Sequence, residues 1–217
     1  GNENPFPKSC VRLGEYVKQL DTTRYICYPE RGSTFRAYNF KNFPTVADIY
    51  APHYPTTGQV GGFYQHADRP VIFTEYLHTL GISFEDHDRQ WEIIEKTPAI
   101  AGGSVWEWVD QGMPFKAERS NPYGYEERVF TSPHGGFEMN GNQGTDGLLY
   151  ADRTPLPNYY ELQHNYAQAA ITDTTFTGTL HVRNRYDFIN LKDNVTFHWA
   201  LTQDRDTVAT GAFSPDC

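Results

Sequence analysis

Arg69-Pro70-Val71-Ile72-Phe73-Thr74-Glu75-Tyr76-Leu77-His78-Thr79-Leu80-Gly81 is the stretch from which the fold is read. Val71-Ile72-Phe73 is a short run of β-branched and aromatic residues behind a proline, which predicts a buried strand. Glu75 follows just past the apolar part, where a parallel strand of a barrel would end. A carboxylate at that end is placed to act rather than to hold the fold together. Taken alone, it also reads as an ordinary strand-end glutamate paired with an arginine.

Upstream, Cys10, Leu13, Val17 and Leu20 recur at helical spacing, predicting an amphipathic helix from Pro7 to Asp21 with Pro5 and Pro7 at its start. Arg24-Tyr25-Ile26-Cys27-Tyr28 and Val46-Ala47-Asp48-Ile49-Tyr50-Ala51 predict strands. Residues 29–44 between them are irregular and aromatic-rich, and a loop of that length is more often functional than idle. Residues 56–67 read as a Gly-rich connection. Downstream, Phe84, Trp91 and Ile94 mark a helix that Pro98 stops, and residues 99–109 read as a strand interrupted by Gly102-Gly103. Strands therefore recur at roughly 25 to 30 residues, the period of a βα barrel unit.

The pattern changes after Asp110. Residues 111–147, dense in Gly, Asn and Pro, read as a long ordered loop, and 156–168 as a short helix. Alternating stretches at 179–183, 195–203 and 208–213 predict antiparallel strands, too few to close a sandwich. The expected fold class is α/β. Residues 1–155 are expected to form the C-terminal part of a (β/α)8 TIM barrel, strands four to eight, with a trailing loop. Residues 156–217 begin an incomplete Ig-like β-sandwich.

Composition narrows the partners. The net charge is −9, with 27 acidic against 18 basic residues and no basic cluster, which argues against a nucleic-acid partner. No apolar run is long enough to span a bilayer. Cys10, Cys27 and Cys217 are odd in number and have no paired short spacing, so neither a disulfide framework nor a zinc site is expected. Aromatic residues make up 15%; such rings often line carbohydrate sites, although most belong to cores. The chain opens on Gly1-Asn2-Glu3 without an initiator Met and is expected to be part of something longer. Half a barrel leaves strand edges uncovered, so no independent activity is expected of it.

Gly1-Asn2-Glu3 supplies a second carboxylate. In a parallel-barrel register Glu3 ends strand four and Glu75 strand seven, on one face. Two carboxyls roughly 5–5.5 Å apart there are what a retaining glycosidase needs, one as nucleophile and the other as acid/base.

At this point four segments, in order, resemble glycoside hydrolase family 2 β-galactosidases. Thr74-Glu75-Tyr76-Leu77-His78-Thr79-Leu80-Gly81 is similar to the nucleophile segment, and Gly1-Asn2-Glu3-Asn4 to the acid/base segment. Gly102-Gly103-Ser104-Val105-Trp106-Glu107-Trp108-Val109-Asp110-Gln111 resembles the strand-eight signature. Asp146-Gly147-Leu148-Leu149-Tyr150-Ala151-Asp152-Arg153-Thr154-Pro155 resembles the segment after the barrel.

The resemblance implies that Glu75 attacks the anomeric carbon and that Glu3 is the acid/base. It further implies that Asn2 positions the sugar 2-hydroxyl, that Tyr54 hydrogen-bonds the nucleophile, and that His78 binds galactosyl hydroxyls. Trp106 would be the stacking platform, with Trp108 a packing residue. The family's Mg²⁺ is held partly by the acid/base glutamate, which makes Glu3 a ligand whose companions precede residue 1. The chain departs from the family at Leu80-Gly81-Ile82, in place of Met-Gly-Asn, and in the loop over residues 118–142. It also carries Gln143-Gly144-Thr145-Asp146-Gly147 in place of Phe-Cys-x-Asn-Gly, which leaves Na⁺ unsupported although Asp146 could still accept a sugar hydroxyl.

The implied partners are a β-galactoside oligosaccharide or polysaccharide fragment, the rest of the parent enzyme, and a second copy of the chain as an open option. A bacterial cytoplasm or periplasm is the expected compartment. The alternatives are β-glucuronidase or β-mannosidase activity, or a carbohydrate-binding module that has lost the chemistry.

Overall fold

The computed structural model describes residues 2–3, 7–30, 43–79, 86–111, 113–120, 126–131, 146–172 and 178–217. Residues 31–42, 80–82 and 143–145, on which parts of the sequence reading rest, lie outside the described residues. The chain divides into two compact units, Gly1–Asn165 and Tyr166–Cys217.

The first unit is built on a four-stranded parallel sheet of β1 (Cys27–Glu30), β2 (Ile49–Pro52), β3 (Val71–Tyr76) and β4 (Ile100–Val105), in that spatial order. Parallel neighbours need crossovers. The β2–β3 crossover contains α2 (Thr57–Gly62), and that between β3 and β4 contains α3 (His87–Lys96). β3 lies between β2 and β4, with Val71 opposite both Tyr50 and Ile100. Val71, Phe73 and Tyr76 are fully buried with Tyr50 and Ala51. Each large side chain removed from water in this way contributes on the order of 2 kcal/mol, which explains why the apolar run commits to a central strand. The strand runs three residues further than its apolar part, Val71–Phe73, so Glu75 is its penultimate residue.

The helix predicted from Pro7 to Asp21 is α1 (Lys8–Leu20), but its apolar stripe does not face the sheet. Leu13 is 61% and Leu20 71% exposed, and the buried residue is Gly14. A side chain there would meet Val46 Cγ2 at 2.7 Å, so the close approach of α1 depends on the glycine. Residues 56–67, expected to be a connection, contain α2 and a short 3₁₀ turn, Tyr64–His66. Thr56 and Gln59 form a capping box: Gln59 N donates to Thr56 Oγ1 at 3.3 Å and Thr56 N donates to Gln59 Oε1 at 2.8 Å.

The expected long loop also contains regular structure. β5 (Met113–Ser120) and β6 (Glu126–Thr131) pair as an antiparallel hairpin. α4 (Pro157–Asn165) follows and packs on α3; Asn165 Nδ2 donates to His87 Nδ1 at 3.1 Å and to Asp88 Oδ1 at 2.7 Å. Burial pushes His87 down to about 4, keeping the ring neutral and able to accept that bond.

The second unit contains two antiparallel pairs. β7 (Ala169–Thr172) pairs with β8 (His181–Asn184), and after α5 (Leu191–Asn194), β9 (Phe197–Gln203) pairs with β10 (Asp206–Phe213). Cys10, Cys27 and Cys217 are free thiols. Among the described residues no helix is long and apolar enough to cross a membrane.

Candidate active site

The polar groups of the first unit gather where the parallel strands end. Glu75 closes β3 next to the segment after β2: His53 forms a bridge with it, and Tyr54 N donates to Glu75 O at 2.8 Å. Leu77, one turn of chain further on, has φ 58°, Tyr54 has φ 47° and Glu3 has φ 51°. Non-glycine residues in the left-handed region carry a backbone cost of about 1 kcal/mol or more each, and such positions cluster at working sites.

The Glu75 carboxylate is gripped on both oxygens. Tyr54 Oη donates to Oε2 at 2.5 Å and Asn2 Nδ2 donates to Oε1 at 3.0 Å. Glu75 is only 8% exposed, so these two donors replace the water it has lost. Burial first, and then the Glu75 carboxylate it faces, hold the Tyr54 phenol well above the ordinary tyrosine range, so Tyr54 stays a donor. Glu3 approaches the same point: ligand oxygens of Glu3 and Glu75 and a ring nitrogen of His53 all lie within 4.8 Å of one another.

A second cluster adjoins the first through Tyr54, whose ring stacks on His78 with centroids 5.3 Å apart. His78 Nε2 is 2.7 Å from Asp146 Oδ2, and Trp106 Nε1 donates to the same oxygen at 3.3 Å. Asp146 is buried and tied to the stretch that follows β4: Glu107 N donates to Asp146 O at 3.1 Å and Gly147 N donates to Asp110 Oδ1 at 2.9 Å. A side chain at Gly147 would meet Asp110 N at 2.2 Å, so this tether admits no other residue. The structure thus brings Asn2, Glu3, Tyr54 and Glu75 together, and beside them His78, Trp106 and Asp146. Trp108 is 54% exposed and lies edge-on to Tyr159.

The family model "Glycosyl hydrolases family 2, TIM barrel domain" matches residues 1–171. The chain belongs to glycosyl hydrolase family 2. It is 28% identical over 220 residues to a β-galactosidase of Actinobacillus pleuropneumoniae, covering 100% of this chain and 20% of that protein. It is 29% identical over 233 residues to a β-galactosidase of Yersinia enterocolitica, covering 100% of this chain and 21% of that one. The chain therefore spans about a fifth of the length of these curated relatives. A solved family 2 member from Bacteroides cellulosilyticus is similar with a TM-score of 0.47 at 15% identity, covering 97% of this chain and 27% of that one.

Two residues of this cluster carry little signal in the sequence. His53 is buried, and its Nδ1 is 3.6 Å from Glu3 Oε1 and 3.4 Å from Glu75 Oε2. Its only signal was its place beside Tyr54 at the end of a buried strand. Glu107 neighbours Trp106 across a cis peptide bond. Its carboxyl is pushed up to about 7, chiefly by burial and further by its hydrogen bond with Asp146. Glu107 Oε1 and Asp146 Oδ1 are buried acceptors without a donor, and a proton held by Glu107 gives them one to share.

That proton makes stability depend on pH. The folded state keeps it up to about 7, whereas an unfolded glutamate releases it near 4.5. The contribution is therefore fully present below 4.5 and is lost as pH rises through 7. Glu107→Gln carries a permanent donor and is expected to remove this slope. Melting temperatures of both proteins at pH 5 and pH 8 check it: the loss on going to pH 8 should shrink in the variant.

Proposed function

We propose that the full-length protein carrying this chain is a retaining β-galactosidase-type glycoside hydrolase. Glu75 is the nucleophile and Glu3 the acid/base. The observation that supports this best is the approach of the Glu3 and Glu75 carboxylates within 4.8 Å at the end of the parallel strand β3, with Glu75 anchored by Tyr54 and Asn2. That spacing suits direct attack by one carboxylate and leaves no room for the intervening water of an inverting enzyme.

In the first step Glu75 attacks the anomeric carbon while Glu3 protonates the leaving oxygen. In the second, Glu3 takes a proton from water, which displaces the sugar from Glu75. Tyr54 and Asn2 hold the nucleophile in its attacking rotamer, and Asn2 reaches the 2-hydroxyl. His78 and Asp146 hydrogen-bond other hydroxyls, and Trp106 offers a ring face beside them. The buried Asp146 carboxyl, an acceptor for Trp106 and a partner of His78, suits the hydroxyls of a neutral galactoside better than the carboxylate of a glucuronide.

Glu3 is a partly exposed carboxylate, its side chain 36% accessible, and an oxygen donor of this kind suits Mg²⁺. Glu3 would hold the ion, which supplies positive charge beside the acid/base group. The antiparallel pairs β7–β8 and β9–β10 support reading the second unit as the start of an Ig-like sandwich.

Turnover of 4-nitrophenyl β-galactoside, β-glucuronide and β-mannoside by the full-length protein tests the assignment. Galactoside hydrolysis should dominate. Preference for either other sugar would move the activity within the family, and binding without turnover would leave a non-catalytic module. Tyr54→Phe removes a hydrogen bond to a buried carboxylate, worth about 1.5–3 kcal/mol, and is expected to lower kcat roughly 10- to 150-fold. Steady-state kinetics on the galactoside would check it.

A further inference from the structure

We infer that Glu3, His53 and Glu75 form a binding site for a borderline-soft divalent cation, Zn²⁺ in particular, that bridges the two carboxylates. That its occupancy blocks hydrolysis rests on the catalytic roles proposed above; the site itself does not.

The buried imidazole is the observation that points to a ligand. The His53 side chain is 0% exposed, and neither Nδ1 nor Nε2 has a hydrogen-bond partner. A buried ring nitrogen without a partner is costly unless something else occupies it. Nδ1 is aimed between the carboxylates, 3.6 Å from Glu3 Oε1 and 3.4 Å from Glu75 Oε2.

Those are the edges of a coordination polyhedron rather than hydrogen bonds. A tetrahedral centre with metal–ligand bonds of about 2.1 Å separates its ligand atoms by roughly 3.4 Å. The remaining edge, between Glu3 and Glu75, is within 4.8 Å, and the partly exposed Glu3 is free to shorten it. One imidazole and two carboxylates suit Zn²⁺, whereas Mg²⁺ prefers an all-oxygen octahedron. Three protein ligands leave a fourth position for water or a sugar hydroxyl. An ion held there engages a nucleophile oxygen and the acid/base group together, so Glu75 can neither attack nor Glu3 donate.

The test is calorimetric titration of Zn²⁺ alone into magnesium-free full-length protein, because Glu3 would otherwise be shared with Mg²⁺. One Zn²⁺ per chain is expected. His53→Leu and Glu75→Gln should each weaken it at least tenfold, since even an outer-shell partner is worth roughly 10- to 100-fold. His53→Gln, checked by circular dichroism, serves if the leucine variant fails to fold. Equal Zn²⁺ affinity with and without His53, or no binding at all, overturns the site. Galactoside turnover is measured separately on zinc-free protein. Turnover without His53-dependent binding would sink the metal site alone. His53-dependent binding without turnover would support it and sink the glycosidase reading instead.

Discussion

Glu75→Gln in the full-length protein is expected to lower kcat on an aryl β-galactoside by several orders of magnitude, roughly 10⁴-fold or more, the scale of removing a nucleophile. The amide cannot attack the anomeric carbon, and it also upsets the local bonding. Tyr54 Oη donates to one Glu75 oxygen and Asn2 Nδ2 to the other. One of the two donors then faces an NH₂ group. KM should change far less than kcat, because the sugar hydroxyls are held by other residues. Steady-state kinetics with the parent in parallel would check it, and near-normal turnover would contradict the nucleophile assignment.

Glu3→Gln is expected to cost about 10²- to 10⁴-fold in kcat on substrates with poor leaving groups. The loss should depend on the leaving group. A 2,4-dinitrophenolate departs without a proton, so the first step on that galactoside should be nearly spared in a burst measurement. An alkyl galactoside should show the full loss. Equal losses on both would mean that Glu3 does not protonate the departing oxygen.

The two carboxylates were legible for different reasons. Val71 and Phe73 are apolar because β3 is buried between two neighbours, so the strand and its glutamate stood out by local composition. Glu3 carries no such signal, and its role was legible only through the resemblance of its segment. The helix at Thr57–Gly62 was overlooked because its glycines suggested a connection, whereas Thr56 and Gln59 spell a capping box. The stripe of α1 was legible as a period but not as a direction. Periodicity reports which residues share a face, and the exposed Leu13 and Leu20 show that the close approach runs through Gly14 instead.

His53 and Glu107 show the other limit. Both owe their interest to neighbours distant in sequence: His53 to Glu3 and Glu75, Glu107 to Asp146. A histidine beside a tyrosine and a glutamate between two tryptophans look ordinary in one dimension. Burial without a hydrogen-bond partner sets His53 apart, and a retained proton sets Glu107 apart; both are properties of the assembled strand ends.

The most direct test of the central claim is to trap the covalent intermediate. The full-length protein is treated with a 2-deoxy-2-fluoro-β-galactosyl fluoride, whose 2-fluorine slows both steps while the departing anomeric fluoride keeps attack faster than deglycosylation, and the labelled peptide is sequenced by mass spectrometry. The account predicts one fluorogalactosyl group per chain, attached to Glu75. A label on another carboxylate, or full turnover of galactosides by a protein that never labels, would contradict it.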